Sequence, residues 1–591
     1  MTGVGHDDGV IVNESKPAAQ RRDNSHIRPL YTLLCCGSKT ALSVHGDTEG
    51  GRQPTGVSYP SLTSGRDLFW SWVWVERSAG AAREALKVLS SAVRERDHLS
   101  AMVLSATLTF LRRVYQLAVR AVLWALWSYK SPARPLRPVT DPLLVQPAHV
   151  LAEWIRGGKV TSYAVVKAHV DRIGAVNPVL NAVVDDRFRQ ALAEAREVDR
   201  ALDSCSPEEK ERLAASKPFL GVPHTGGLVA RIGRRANEDA VVVRLMKAAG
   251  AIPMCVSNVP ELGLWWETAN RVYGRTSSAH DSSRTPGGPL GARRRCWRAA
   301  GWVSLEGAGL YTEKLKKGGV LVAGPLGRCV KDLILSLQVL APQDATGLMD
   351  KIEKTELSKT KVWWAEELDS PLFSPVDFRL RNLLHKVLHF LDHSNAAYVA
   401  KWPLDMSDAY QVWSNKMADD YSGEPSLTCD MTDRKGEVNL AREWFLWLTG
   451  RGRHTFPTLF QAVLHKASGQ KKEPETSPFY WKTYQEKFKE VLGNDGVLIL
   501  PVLPIISPYH NEPILNPFDI CYTAMFNAIE FPSTAVTLGQ TSDNCPIGLQ
   551  IVTTPGNDHL SLAVAKVLEK KFGGWVPPFE VQIPSSSKKD S

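Results

Sequence analysis

Between Ala148 and Lys571, short apolar runs of strand length alternate with amphipathic runs of helical length, and this alternation restricts the chain to an α/β architecture. Ala148–Arg156 has helical periodicity and Gly157-Gly158 breaks it. Thr161-Ser162 can cap the next helix, Tyr163–Val176, which Asn177-Pro178 is expected to stop. Leu180–Val184 reads as a buried strand, Asp186–Leu202 as a charged surface helix and Phe219–Pro223 as a strand edge. Ala240–Gly250 reads as a helix leading into a strand over Ala251–Val256. Residues 343–490 are helix-rich and aromatic, with helices expected over Phe378–His393 and Tyr480–Leu492. Gly496–Leu500 is an apolar strand, Pro501–Tyr509 an irregular loop, and a last α/β unit ends in the helix Leu560–Lys571.

Composition narrows the class. The chain has 591 residues, 43% hydrophobic and 23% charged, an ordinary globular balance. Its net charge of +9 comes from arginines gathered in the first 135 residues and in Arg284–Arg298. They are not interleaved with stacking aromatics, which argues against a nucleic-acid partner. Several of the 18 tryptophans, Trp124, Trp127, Trp265 and Trp266 among them, stand in apolar clusters suited to buried or membrane-adjacent surfaces. The nine cysteines show no C-x-x-C pair and no metal-ligand spacing, so unpaired thiols in a reducing, intracellular compartment are expected.

The N-terminal quarter is unlike the rest. Residues 1–98 lack any sustained period and read as a disordered extension, with a short helix over Gly80–Arg96 and no secretory signal. Residues 99–131 read as an apolar membrane-anchor helix interrupted by Arg112-Arg113 and Arg120. Its uninterrupted runs fall short of the roughly 20 residues of a spanning helix. An interfacial anchor with snorkelling arginines, a marginal span and an amphipathic helix packed on the domain all remain open. Pro132–Pro138 is a linker, 139–579 the globular domain, and 580–591 a Ser/Lys-rich tail expected to be disordered.

Four segments, in order, carry a family resemblance. They are Lys159–Val184; Ala248–Asp281, with Ser257–Leu262 and Asn270–Thr276; Gly324–Leu333; and the C-terminal block of Asp495–Leu503, Pro546–Val552, Asn557–His559 and Phe572–Val576. On these the chain resembles the amidase signature family, and within it the fatty-acid amide hydrolase group. The resemblance implies a mixed central β-sheet flanked by helices, and hydrolysis of fatty-acid amides to fatty acid and amine. It implies a Ser–Ser–Lys triad: a buried lysine as base, a first serine relaying the proton, and a second as nucleophile over backbone oxyanion donors. No metal or organic cofactor is implied. The partners implied are a fatty-acid amide or similar lipid, a membrane surface and a second copy in a homodimer.

No catalytic residue of that triad maps onto this chain. After Gly221–Thr225, Gly226-Gly227-Leu228 stands where the lysine segment is expected. In the serine turn, Gly287-Gly288-Pro289-Leu290-Gly291 places Pro289 at the relay serine and Leu290 beside it. The Arg-rich string Ala292–Arg298 follows, and no G-G-S loop precedes Gly324-Pro325. Family-like blocks ending this abruptly have the pattern of a shifted reading frame or altered exon joining, and the domain is expected to be disrupted at about 226–236 and 285–323. Ser304 with Lys314, Lys316 or Lys317 is the local Ser/Lys combination, without elbow or S-x-x-K spacing; exposed loop residues are the plainer reading. His224 is a loop histidine or a substitute base. Ser282-Ser283 suit a turn, Asp558 a helix cap, and Tyr273 and Arg275 bracing of the glycine turn. By resemblance Gly263, Leu264, Trp265 and Trp266 line an acyl channel; plain core packing is the competing reading.

Overall fold

The computed structural model describes residues 98–130, 136–204, 228–231, 239, 241–287, 304–305, 324–343, 345–394, 396–420, 426–468 and 480–582. Expectations for residues 1–97, His224, Gly288–Gly291, Ala292–Arg298 and Lys314–Lys317 lie outside that set. The elements used below are α1 (His98–Lys130), α2 (Ala148–Arg156), α3 (Ser162–Leu180), β1 (Val183–Asp186), α4 (Phe188–Asp203), α5 (Val241–Ala248) and β2 (Cys255–Ser257). They continue with α6 (Val330–Leu340), β3 (Lys361–Trp364), α7 (Phe378–His393), β4 (Tyr398–Lys401), α8 (Ala409–Asp420), α9 (Leu440–Leu448) and α10 (Phe456–Ser468). The last are α11 (Tyr480–Leu492), β5 (Gly496–Pro501), α12 (Cys521–Ala528), β6 (Ser533–Gln540), β7 (Pro546–Val552) and α13 (Asp558–Phe572).

The principal sheet has the order β6-β7-β5-β3-β4 and is mixed. β3 runs parallel to both β4 and β5, whereas β7 runs antiparallel to β5 and β6. β5 lies at its centre and is buried along its whole length. Alternate residues serve opposite faces: Val497 and Ile499 pack with α6, α7 and α13, and Leu498 and Leu500 with α8, α11 and α12. Burial on both faces explains why this strand is a continuous apolar run and not an alternating one. Phe488 on α11, fully buried between Trp402 and Phe531, anchors one of the two layers. A smaller antiparallel pair, β1 with β2, packs beneath α3 and α4.

Several boundaries shift from those expected. α3 does not stop at Asn177-Pro178; it carries Pro178 in its last turn and ends at Asn181, which adopts the left-handed conformation at φ 49°. The Asn177 side chain is the reason. Its Oδ1 accepts from Ala182 N and Val183 N at 2.8 Å, so the turn it organises lies beyond the proline. β1 and β2 are correspondingly shorter and later than the expected strands. Asp558 is the first residue of α13 and not its cap, which is Asn557.

The two ends of the domain meet. Val139 donates to Glu580 O at 2.9 Å and accepts from Gln582 N at 2.8 Å, forming a parallel bridge with Val581. Arg172 lies over the Phe579 ring and Arg328 over the Trp575 ring, at 4.5 and 4.2 Å. Residues 580–582, expected in a disordered tail, are therefore held against the start of the domain.

Candidate active site

The approach to the glycine turn is built from asparagines and a buried arginine. Asn270 Nδ2 donates to Asn258 Oδ1 at 2.7 Å, and its own Oδ1 accepts from Val272 N and Tyr273 N, closing the loop that carries Tyr273 and Arg275. Asn181 Nδ2 ties the carbonyls of Tyr273 and Arg275 to the end of α3. Thr268 Oγ1 donates to Gly287 O at 2.9 Å, fixing the last described residue of the turn, whose φ of 112° favours glycine. Arg284 is buried; it donates to Ser507 O at 2.9 Å, meets Asp281 at 2.9 Å and lies 4.3 Å over the Tyr509 ring. Ser282 and Ser283 occupy a turn, as expected, with Ser283 N and Oγ both donating to Asp281 Oδ1. Among the described residues these contacts hold the chain as far as Gly287.

Inside that shell lies a group that sequence spacing did not indicate. His510 Nδ1 is 2.9 Å from Glu267 Oε1, and His510 Nε2 is 3.4 Å from Ser277 Oγ. Arg275 Nε stands 3.3 Å from the same Glu267 oxygen, and Asn511 N donates to Oε2 at 2.8 Å. Burial pushes the Glu267 carboxyl upward; the His510 hydrogen bond and the Arg275 charge outweigh it and hold the carboxyl below its ordinary value. The connectivity is that of a serine, a histidine and an acid. However, Nε2 is also 3.2 Å from Ser282 O, which can only accept. A proton on Nε2 is directed at that carbonyl, leaving no lone pair aimed at Ser277. The group fastens residues 267–283 to residues 509–512. Glu267 and His510 are 243 positions apart, so no local motif announces them.

Of the channel candidates, Leu264 packs in a small apolar cluster with Leu228, Met431 and Leu459, and Trp266 is buried. Gly263 takes φ 71° directly after Leu262 at φ 56°, a sharp bend that glycine permits. The bend is pinned to α10 and its N-terminal flank: Glu261 accepts from His454 at 2.6 Å and from Thr455 N at 2.7 Å. The indole Nε1 atoms of Trp265 and Trp266 are buried with no hydrogen-bond partner among the described residues. Ser304 lies on a two-residue strand paired with Pro325-Leu326.

α1 docks beside this region by its polar side. Arg112, Gln116, Arg120 and Trp127 recur on one helical face. They reach Asn516 Oδ1 at 3.1 Å, Ser374 Oγ at 2.7 Å, Glu512 at 3.2 Å and His510 O at 3.1 Å, respectively. Ser374 in turn donates to the buried Asp519 from N and Oγ, at 2.7 and 2.6 Å. Burial pushes the Asp519 carboxyl from its ordinary 3.8 up to about 6, against the Ser374 hydrogen bonds and the Arg112 charge. A raised carboxyl value favours the protonated form on folding. The associated stability is present below the unfolded value and is lost as pH rises through about 6. Relative to Asp519→Asn, the natural chain is expected to lose about 2 kcal/mol of stability between about pH 4.5 and 7.5. Urea unfolding of both proteins across that range checks this, and parallel pH profiles would contradict it.

Beside this docking face α1 exposes large apolar side chains, with Phe110 at 63%, Leu117 at 72% and Trp124 at 61%, and the exposed Arg113 lies among them. No helix among the described residues is long and apolar enough to cross a membrane, which removes the spanning reading of α1. The described cysteines, Cys255, Cys329, Cys429, Cys521 and Cys545, are free thiols.

Comparison with known proteins places this architecture. The amidase family model matches residues 164–289. Human fatty-acid amide hydrolase 2 is 34% identical over 501 residues, covering 76% of this chain and 93% of that protein. Zebrafish fatty-acid amide hydrolase 2-A is 33% identical, over 80% of this chain and 99% of its own. Among solved structures, a fatty acid amide hydrolase superposes with TM-score 0.55 at 15% identity, over 77% of this chain and 89% of that one. The 6-aminohexanoate cyclic dimer hydrolase does so with TM-score 0.55 at 20% identity, over 73% and 97%. These two likenesses concern the fold alone.

Proposed function

Because the chain belongs to the amidase signature family, we propose that it is a fatty-acid amide hydrolase by descent that binds a lipid amide at a membrane surface and does not turn it over. The observation that carries this reading is the substitution of Pro289 and Leu290 into the serine turn, with no lysine after Gly221–Thr225. Proline has neither a hydroxyl to relay a proton nor an N–H to donate. The surrounding frame, from Asn258 to Arg284, supports descent from an enzyme whose turn it once held. Gly263–Trp266 is the stretch assigned to the acyl chain.

A rewired nucleophile is the competing reading, and a fluorophosphonate probe separates the two. No labelled serine is expected on the folded full-length chain, whereas an intact relative treated in parallel is labelled. Stoichiometric modification of Ser277, Ser304 or any other serine, mapped by mass spectrometry, sinks the proposal.

Membrane contact is assigned to α1. Arg112, Gln116, Arg120 and Trp127 are spent on the domain, and the exposed Phe110, Leu117 and Trp124 with the cation Arg113 beside them have a lipid surface as their natural counterpart. Exchanging Phe110, Leu117 and Trp124 for serine leaves the docking residues untouched. It is expected to weaken co-flotation with liposomes by at least about a hundredfold, from the loss of three large apolar side chains. Unchanged flotation would remove α1 from this role.

A further inference from the structure

Away from the glycine turn, the start of α2, the segment entering α6 and the C-terminal part of α13 converge on a set of side chains with no place in amide chemistry. His149 Nδ1 is 2.8 Å from Asp332 Oδ1 and 3.9 Å from Cys329 Sγ, and all three donor atoms lie within 4.8 Å of one another. Asp332 is buried and the other two are half-buried. Glu569 closes one side, its carboxylate accepting from Val330 N at 3.0 Å. Among the described residues neither Asp332 nor Glu569 forms an ion pair with a lysine or arginine. The nearby Arg328 donates instead to Leu144 O at 2.7 Å and Gln146 O at 3.4 Å, and stacks on Trp575. Two carboxylates and a thiol thus share a half-buried space with a single imidazole, with the Arg328 charge close by.

We propose that His149, Cys329 and Asp332 form a binding site for a zinc-class divalent cation, with water in the fourth position. The donor set selects the metal: a thiolate and an imidazole suit zinc, whereas magnesium and calcium take oxygen ligands almost alone. Two of the three ligand edges already lie near tetrahedral values. Metal–ligand bonds of about 2.0–2.3 Å in a tetrahedron set N···S and N···O edges of about 3.6 and 3.3 Å, within roughly half an ångström of the distances present. On binding, Cys329 releases its thiol proton to solvent, and His149 coordinates through Nδ1 with its own proton on Nε2. Asp332 keeps its contacts with Ala148 N and His149 N at 3.1 and 3.0 Å, so the carboxylate is already held in place. The ligands come from positions about 180 residues apart, so the cation clamps α2 to α6. That separation explains why no ligand spacing is visible in the sequence.

Cobalt titration of the chelator-treated full chain tests the site. One equivalent of Co²⁺ is expected to produce a thiolate-to-cobalt charge-transfer band with tetrahedral visible bands, both abolished by Zn²⁺, while Zn²⁺ raises the Tm. Cys329→Ser removes the charge-transfer band. His149→Ala weakens Zn²⁺ binding by more than the about ten- to hundredfold cost of losing an outer-shell partner. Absence of the band in the natural chain overturns the proposal whatever the variants do. So does a band that survives Cys329→Ser, which marks another cysteine as the ligand. A hydrogen-bonded helix cap with no metal affinity predicts no band and no Zn²⁺-dependent rise in Tm, and amide turnover enters none of these readouts.

Discussion

Hydrolysis of a long-chain fatty-acid amide by the purified chain is expected to run about a million-fold below that of a fatty-acid amide hydrolase with its triad intact. That deficit corresponds to about 8 kcal/mol of lost transition-state stabilisation. Removing a nucleophile alone costs this much in serine hydrolases, because triad members act as a unit and further losses add little. On the proposed reading, Pro289 and Leu290 stand where the resemblance expects the relay serine and its neighbour, and no segment matching the nucleophile or the base is present. The residual rate in other disabled hydrolases comes from oxyanion donors and substrate positioning, and on the proposed reading the oxyanion loop is lost as well. The measurement is product formation by mass spectrometry beside a relative at equal concentration, with binding followed independently. Saturable binding without product agrees with the reading; turnover within a hundredfold of the relative refutes it.

Replacement of His510 by alanine is expected to destabilise the protein by about 1–3 kcal/mol, the cost of leaving a buried carboxylate without one of its hydrogen-bond partners. His510 and Glu267 are both nearly inaccessible, and loss of the ring strands a carboxylate whose remaining cation, Arg275, is 3.3 Å away and half-exposed. The ring also supports Trp127 of α1, edge-on at 5.2 Å, so the α1 contact weakens with it. A double-mutant cycle with Glu267→Gln separates the pair from simple loss of packing, with a coupling of about 0.5–3 kcal/mol. Hydrogen exchange is expected to rise over residues 267–287 before the rest of the sheet responds. A change below about 1 kcal/mol would show that the pair contributes little.

Local signals in the sequence were legible where one element satisfies itself. β5 is apolar at every position because both faces are covered, and Thr161 caps α3 with its own hydroxyl, 3.1 Å from Ala164 N. Signals failed where a side chain acts at a distance. Asn177-Pro178 carries a stop, yet the Asn177 amide spends its hydrogen bonds on residues 182 and 183, and the helix runs on to Leu180. The frame of the candidate site was legible through Asn270–Thr276 as a family segment. The fastening of that frame was not, since Glu267, Arg284, Tyr509 and His510 meet only once the C-terminal block has folded back. α1 reads as apolar by composition because its few polar residues are widely spaced. Only their common face, which they share with the buried Leu123, shows which side of the helix meets the domain.

The pairing of Val139 with Glu580 and Gln582 has a consequence for synthesis. The first strand-like residue of the domain has its partners among the last described residues, so the ribosome delivers the two more than 400 positions apart. α3, α4 and the β1–β2 pair share a core drawn from residues 136–279 and can pack early, whereas the bridge at Val139 waits until the segment beyond α13 is released. Closure is therefore a post-translational event, and a nascent chain stalled before Trp575 leaves Arg172 and Arg328 without the aromatic rings that cover them.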